Sequence, residues 1–401
     1  MGEERVADQY ITAVDVVWAF AVEQLRIELG NTAGQKRHLI LTGPNGSGKS
    51  SILLGLYASL SGSTACEEFH SLHPEVLQTA KEQDGAAVAR SSAYDRVVSL
   101  FEKGPIVGAE GLDESRGNTE LVAIMLSAKR TLQQAQVSGA QRIDWKQLRG
   151  EQRPLATMFG QHLVNRRFDQ LIAREGGDAA LADEIATWFT NLQSKMQELF
   201  ADEQLELLLE PGSYEYRLRF AGEREVTFDQ LPDGFASVLH IWAEIMLHVR
   251  ALELELGYEP SGFVLIDEPE LHLHAAMQER VLSFLVELFP RLQFIVATHS
   301  PAIASSIDDA YIYDLRTQEG ILSNELRGIR YGNLYTSWFG IETDFDLHTT
   351  KLYRRFHELA ADKPQPGSEA HTELGELART LSERSHTLAL DVWRALGGDD
   401  D

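Results

Sequence analysis

Three kinds of hydrophobic pattern alternate along the chain. The first is the short, continuous apolar run: His38–Thr42, Leu121–Ser127, Phe263–Ile266 and Phe294–Ala297 are all of strand length. The last two are separated by a helical stretch from Ala275 to Leu288. Strands apolar on both faces and alternating with helices belong in a parallel sheet covered on both sides. The second pattern is helical. Ser50–Leu60 and Phe235–Leu256 read as helices, and the segment from Gly139 to Asp202 turns helical throughout. Within it Leu181, Ile185, Trp188, Leu192, Met196 and Leu199 recur at three- and four-residue spacing, one stripe that serves as core packing. The third is alternation: Leu205–Leu209, Tyr214–Phe220 and Glu223–Phe228, broken at Pro211-Gly212-Ser213 and Ala221-Gly222, predict an antiparallel meander. Lys363-Pro364-Gln365-Pro366-Gly367-Ser368 reads as a linker ahead of two charged amphipathic helices near Glu369–Arg384 and Thr387–Leu396.

Composition narrows the class. The 401 residues leave room for two to three structural units, and Cys66 is the single cysteine, so neither an internal disulfide nor a multi-thiolate metal site can form. A reducing, cytoplasmic setting is expected. The first residues are charged without a signal-like apolar core, and no run of about 18 apolar residues predicts a membrane span. The net charge of −25 repels nucleic acid at long range, so any DNA contact has to be local and basic or belong to a partner. Arg142, Lys146, Arg149, Arg153, Arg166 and Arg167 make the helical segment the best local candidate for such a surface, although an ordinary solvated face is the simpler reading.

The most specific chemistry lies at Gly43-Pro44-Asn45-Gly46-Ser47-Gly48-Lys49-Ser50. It satisfies G-x-x-x-x-G-K-[ST] between a strand and a helix. Glycines let successive N–H groups turn inward around phosphate oxygens, at a helix N-terminus that favours negative charge. Residues 43 to 50, with Ser51, are therefore the expected nucleotide site: Lys49 would reach the β- and γ-phosphates and Ser50 would ligate Mg²⁺. The run Phe263–Ile266 ends in Asp267-Glu268, at the strand end where ligands of open α/β sheets bind. Asp267 is expected on the metal, with Glu268 as the base that orients or deprotonates water. His299 follows the next strand and is expected to contact the γ-phosphate through a neutral imidazole. Lys129 and Arg130, after Leu121–Ser127, either cap a strand end in solvent or reach toward phosphate or substrate.

On these residues the chain resembles a known group. DEPELHLH at Asp267–His274 followed by THSP at Thr298–Pro301 is similar to ABC-type ATPases of the overcoming-lysogenization-defect and RecF/SMC-like branch. The resemblance covers about half of the chain. It implies an α/β P-loop NTPase, an ABC-ATPase head with a mostly parallel sheet, an antiparallel β lobe and a helical insert. The expected divisions are residues 1–130 and 204–345 for the two halves of the head, 131–203 for the insert and 346–401 for a helical tail. It further implies that Phe228–Ser237 occupies the signature position, presented across a dimer to the other subunit's γ-phosphate, with the N–H of Gly234 serving there. Pro232 stands where the family has serine, Asp233 adds a negative charge and doubles as a helix N-cap, and Ser237 is a candidate replacement hydroxyl. Leu271–His274 falls on the dimer-lining loop; His272 and His274 alone are too few for a metal site. Gln78 and Gln83 are candidates for the family's Q-loop by location only.

The implied cofactors are ATP and Mg²⁺, and the implied partner is a second copy of the chain. Many relatives carry a nuclease; here Asp344 and Asp346 form a D-x-D without the strand-borne glutamate of a TOPRIM site, and chemistry limited to ATP is expected. Similar stand-alone ATPases occur in the anti-phage systems PARIS, Septu and retron-associated defence beside a TOPRIM or HNH nuclease, so a partner effector of that kind follows from the resemblance. Two other readings stay open: a RecF/SMC-like ATPase acting directly on DNA, and a nucleotide-dependent scaffold with little turnover.

Overall fold

The computed structural model describes residues 9–19, 21–32, 35–61, 105–112, 121–130, 134–145, 154–256, 260–329, 334, 346–384 and 386–397. The chain divides into two compact units, Met1–Ile329 and Arg330–Asp401.

In the first unit, β1 (Ala13–Ala19) and β2 (Val22–Glu28) form a hairpin, followed by β3 (His38–Thr42) and α1 (Lys49–Ser61). Then come β4 (Ile106–Glu110), β5 (Val122–Leu126), the helical insert of α2 (Phe159–Glu175) and α3 (Ala179–Phe200), and the meander β6 (Glu206–Glu210), β7 (Glu215–Phe220) and β8 (Arg224–Thr227). The unit continues with α4 (Asp233–Leu256), β9 (Gly262–Asp267), α5 (Ala275–Leu288), β10 (Leu292–Ala297) and the one-turn α6 (Pro301–Ala304), then β11 (Ala310–Asp314) and β12 (Glu319–Leu322).

The central sheet has the order β12-β11-β3-β10-β9-β5. All its pairings are parallel except β11 with β12 at one edge. Every residue of β3, β9 and β10 is buried, which accounts for their unbroken apolar runs. Gly262 opens β9 so close to β5 that a Cβ there would lie 2.0 Å from the Val122 carbonyl oxygen. On one face α1 is apolar almost all round and is sandwiched between this sheet and the antiparallel sheet β2-β1-β4; Ile52, Leu53 and Leu56 join Val14, Val16, Leu41, Leu265 and Ile295 in one core. The meander is antiparallel in the order β6-β7-β8, as its alternation predicts.

The insert departs from the expected phase. Its buried stripe on α3 runs through Ala182, Ile185, Phe189, Leu192, Met196 and Leu199, while Leu181 is exposed. Asp178 caps the helix by accepting from the Leu181 amide. Arg166 lies over Trp188 and Arg167 over Phe189, at 5.2 and 4.0 Å from the ring centroids, so two of the insert's basic groups are engaged by its own aromatics. Arg142 is exposed; Lys146, Arg149 and Arg153 lie outside the described residues.

Among the described residues α4 is one helix long and apolar enough, over Asp233–Glu253, to cross a membrane by length and composition, and 67% of that window is buried within the protein. The second unit packs α7 (Leu347–Asp362), α8 (Glu369–Arg384) and α9 (His386–Ala395) around Phe356, Leu374, Leu381 and Leu388. The predicted linker at 363–368 is thus a tight loop between two packed helices, entered through Lys363 at φ 44°. Asp346 of the D-x-D caps α7 by accepting from the His348 and Thr349 amides, whereas Asp344 lies outside the described residues.

Two buried histidines give the fold an acid limit. Burial, with the nearby charge of Lys36, pushes His38 down to about 3; burial, with Arg166 and Arg250, does the same to His162. The unfolded chain binds these protons more readily than the folded one, so the stability they contribute is whole above the ordinary value of 6.5 and drains away as pH falls toward 3. Between pH 7 and 5 each is expected to remove about 2 kcal/mol. Thermal unfolding followed over that range should show a shallower acid slope in His162→Phe than in wild type; equal slopes would place the acid sensitivity elsewhere.

Candidate nucleotide site

The parallel register brings the predicted site residues to one end of the sheet. Ala297 pairs with Leu41 on one side and Asp267 on the other. The chain therefore leaves β3 into the glycine loop, β9 into Glu268 and β10 into Thr298 at the same level, where the Glu268 amide donates to the Ala297 carbonyl and the Thr298 amide to the Leu41 carbonyl.

The loop after β3 takes the backbone that its glycines permit, with φ of 140°, 79° and 96° at Gly43, Gly46 and Gly48. Pro44, Asn45, Gly46 and Ser50 are exposed, Ser47, Gly48 and Ser51 half-buried, and Gly43 and Lys49 buried. The Lys49 ammonium donates to the carbonyls of Gly43 and Pro44 at 2.9 and 3.1 Å. Burial lowers its pKa, and Asp267, Glu268, Glu270 and Asp314 pull the other way. Ser50 lies in the first turn of α1 and its hydroxyl is hydrogen-bonded to Asp267, so the two predicted metal ligands meet. Burial raises the Asp267 pKa against that bond, and one Asp267 carboxylate oxygen is buried without a partner, as is the Ser47 hydroxyl. An orphaned carboxylate oxygen beside a serine hydroxyl is an oxygen donor set that suits Mg²⁺.

Glu268 sits at φ 48°, in the left-handed region, with its carboxylate 3.9 Å from Nε2 of His299. Burial, and then Lys49, lowers the His299 pKa, with Glu268 opposing, so the neutral imidazole is favoured at neutral pH. The Ser-Pro that follows has a local cause: Ser300 caps the one-turn α6, its hydroxyl accepting from the Ile303 amide, and Pro301 stands at the first helical position.

Two further residues take places that the sequence pattern does not announce. Glu270 accepts the His299 amide at 2.6 Å and holds the strand end that carries the imidazole; burial raises its pKa, and its second oxygen has no partner. Its signal was its place in the acidic run, which names no role. Arg130 is no solvated cap. Its guanidinium donates to the carbonyls of Ser127, Asp267 and Glu268, and burial lowers its pKa to about 10. Lys129 beside it is exposed.

The predicted signature residues lie apart from the glycine loop's own contacts. Pro232 provides the carbonyl that accepts the Ala236 amide, so Pro232, not Asp233, is the cap residue of α4, and Asp233 falls in the first turn. Gly234 lies against the 268–273 loop, where a Cβ would meet the His272 carbonyl oxygen at 2.7 Å. Ser237 is buried and its hydroxyl accepts from Arg130, so it faces inward. His272 and His274 are both exposed on that loop, and Gln78 and Gln83 lie outside the described residues.

A glycine loop between a buried central strand and a helix, with acidic and imidazole groups from two neighbouring parallel strands converging beside its lysine, defines a P-loop ATPase fold. Residues 112–305 match the family model described as "AAA domain, putative AbiEii toxin, Type IV TA system", a stretch that begins beyond the glycine loop. The chain is similar to Septu protein PtuA of Bacillus mycoides (strain KBAB4), 23% identical over 354 residues that cover 86% of this chain and 46% of that one. It is also similar to the Retron Ec83 probable ATPase of Escherichia coli, 29% identical over 38% of this chain and 28% of that one. It thus spans less than half the length of these relatives. A structural neighbour is the SMC head domain from Thermotoga maritima, at a TM-score of 0.36 and 14% identity, covering 76% of this chain and 94% of that one.

The hairpin of β1 and β2 leans on the loop: a Cβ at Gly48 would come within 2.9 Å of the Ala19 carbonyl oxygen, whereas one at Gly46 meets nothing within 4 Å. Both glycines have positive φ, so Gly46→Ala carries the conformational cost of roughly 1 kcal/mol alone and Gly48→Ala adds the clash. Gly48→Ala is expected to lose more ATP affinity in a fluorescent-nucleotide titration. Equal losses would show that the hairpin does not constrain the loop.

Proposed function

We propose that the chain binds ATP with Mg²⁺, hydrolyses it at a site completed by a second copy of itself, and uses the nucleotide state of that dimer to govern a partner nuclease effector, of TOPRIM or HNH type, in cytoplasmic anti-phage defence. What carries the chemical half of this reading is the convergence of Lys49, Ser50, Asp267, Glu268 and His299 at one end of the sheet. What supports the biological half is the similarity to Septu and retron ATPases.

In this reading the loop amides and Lys49 bind the β- and γ-phosphates, and the lysine exchanges its two backbone carbonyls for phosphate oxygens. Ser50 and Asp267 would hold Mg²⁺, which when bound offsets the negative charge of the phosphates. Glu268 orients a water for in-line attack on the γ-phosphorus; it accepts the water's proton as the bond from phosphorus to the bridging oxygen breaks and ADP leaves. His299, neutral under the influence of burial and Lys49, donates a hydrogen bond to the γ-phosphate. The N-terminus of α4, with the Gly234 amide, completes the site of the opposite subunit.

One observation favours slower chemistry. Pro232 and Asp233 are exposed at that helix start and Ser237 is turned away, so the trans contact has no signature hydroxyl and carries an added negative charge. The second reading is accordingly a nucleotide-bound scaffold with low turnover. Direct action on DNA has less support, given the net charge of −25 and the placement of Arg166 and Arg167 over aromatic rings.

The test is a pair of variants. Glu268→Gln is expected to bind ATP, to lose about 10²- to 10⁴-fold in turnover, and to elute as a dimer with ATP in size-exclusion chromatography. Lys49→Ala is expected to lose nucleotide binding and remain undimerised. Wild-type turnover in Glu268→Gln would show the base to be misassigned, and an ATP-bound wild type with no turnover would favour the scaffold.

A further inference from the structure

Arg130 makes more of its surroundings than a half-buried cation needs. It follows β5, and its guanidinium bridges three separate pieces of chain. Nη1 donates to the carbonyls of Ser127 and Asp267 at 2.7 and 2.8 Å, Nη2 to the carbonyl of Glu268 at 2.8 Å, and Nε to the hydroxyl of Ser237 at 3.4 Å. The planar fork suits two adjacent carbonyls in a way that an ammonium does not. Those two carbonyls bracket the residue proposed as the base. Glu268 is also held from the other side, since its amide donates to Ala297, and it sits at φ 48°, a conformation disfavoured for a residue with a side chain.

The far end of the same guanidinium rests on α4. Ser237 is one turn along from Gly234, so the part of the helix that would meet the other subunit's phosphate and the part that touches Arg130 move as one rigid piece. Gly234 itself lies against His272, further along the loop that starts at Glu268. The start of α4 therefore bears on the 268–273 loop at two points, once by direct contact and once through Arg130.

We propose that Arg130 is a positioning residue that fixes the backbone of Glu268 and couples it, through Ser237, to the helix start engaged by the opposite subunit. Engagement across the dimer then bears on the placement of the base that Arg130 already sets in the single chain. This inference rests on the assignment of Glu268 as the base. Burial leaves the guanidinium charged at neutral pH, since even lowered to about 10 its pKa stays well above it, so the fork retains all its donors.

The experiment measures kcat at saturating Mg·ATP, the affinity for ATP and the melting temperature of four variants: Glu268→Gln, Arg130→Lys, Ser237→Ala and the Arg130→Lys/Ser237→Ala double variant. Arg130→Lys keeps the charge and loses the fork; kcat is expected to fall between about 10- and 100-fold, as for a base displaced by an ångström or less, with ATP affinity held by the glycine loop. Ser237→Ala is expected to lower kcat several-fold by the same route, so the double variant falls no further than Arg130→Lys. A role in stability alone would lower the melting temperature and spare kcat in the folded fraction. If Glu268→Gln is inactive while Arg130→Lys or Ser237→Ala keeps wild-type kcat, the coupling is overturned and the base assignment stands; wild-type turnover in Glu268→Gln overturns the assignment beneath it. Should Arg130→Lys fail to fold, Ser237→Ala decides: wild-type kcat overturns the coupling, reduced kcat at unchanged ATP affinity upholds it.

Discussion

The site depends on three buried strands ending level. Parallel hydrogen bonding ties β10 to β3 and β9 with Ala297 opposite both Leu41 and Asp267. A slip of one residue on either side would turn every side chain of the slipped strand to the other face and carry Asp267 or His299 away from the glycine loop. The register is held by packing: all residues of the three strands are covered, so a slip would push side chains of the wrong shape into both close-packed faces. Function at this end of the sheet is in that sense a product of the core.

Electrostatics work in the opposite direction to the core. Lys49 and Asp267 are buried and Glu270 half-buried, and loss of water pushes each toward its neutral form: the lysine's pKa down, the carboxyls' up. Each partly offsets the others, because Lys49 draws on Asp267, Glu268 and Glu270 together. The lysine is in turn what helps keep the His299 imidazole neutral. The cluster is therefore coupled as a unit, and a change at any one member reaches the rest.

Much of this was legible because the signals are local. A strand covered on both faces writes itself as an apolar run, a phosphate loop as glycines at fixed spacing, a meander as alternation broken by Pro-Gly and Ala-Gly. Residues whose role depends on contacts distant in sequence were not legible. Arg130 looks like any charged strand end until β5 is set beside β9 and its side chain folds under α4. Ser237 reads as available hydroxyl because its spacing from Gly234 does not reveal that this face of α4 is buried. The phase of α3 slipped for a similar reason: Leu181 and Trp188 fit the spacing as well as Ala182 and Phe189, and only the packing surface chooses between them. The pairing of β1 with β4 across some ninety residues leaves no mark in either segment.

The unpartnered oxygens of Asp267 and Glu270 bear on how long the protein lasts as well as on what it does. A head with acidic atoms shut away from water and unmatched is under tension that a cation held there would relieve, and by mass action whatever binds only the folded form prolongs it. The lifetime of the chain would then follow the supply of the cation that those oxygens take, longest where it is plentiful.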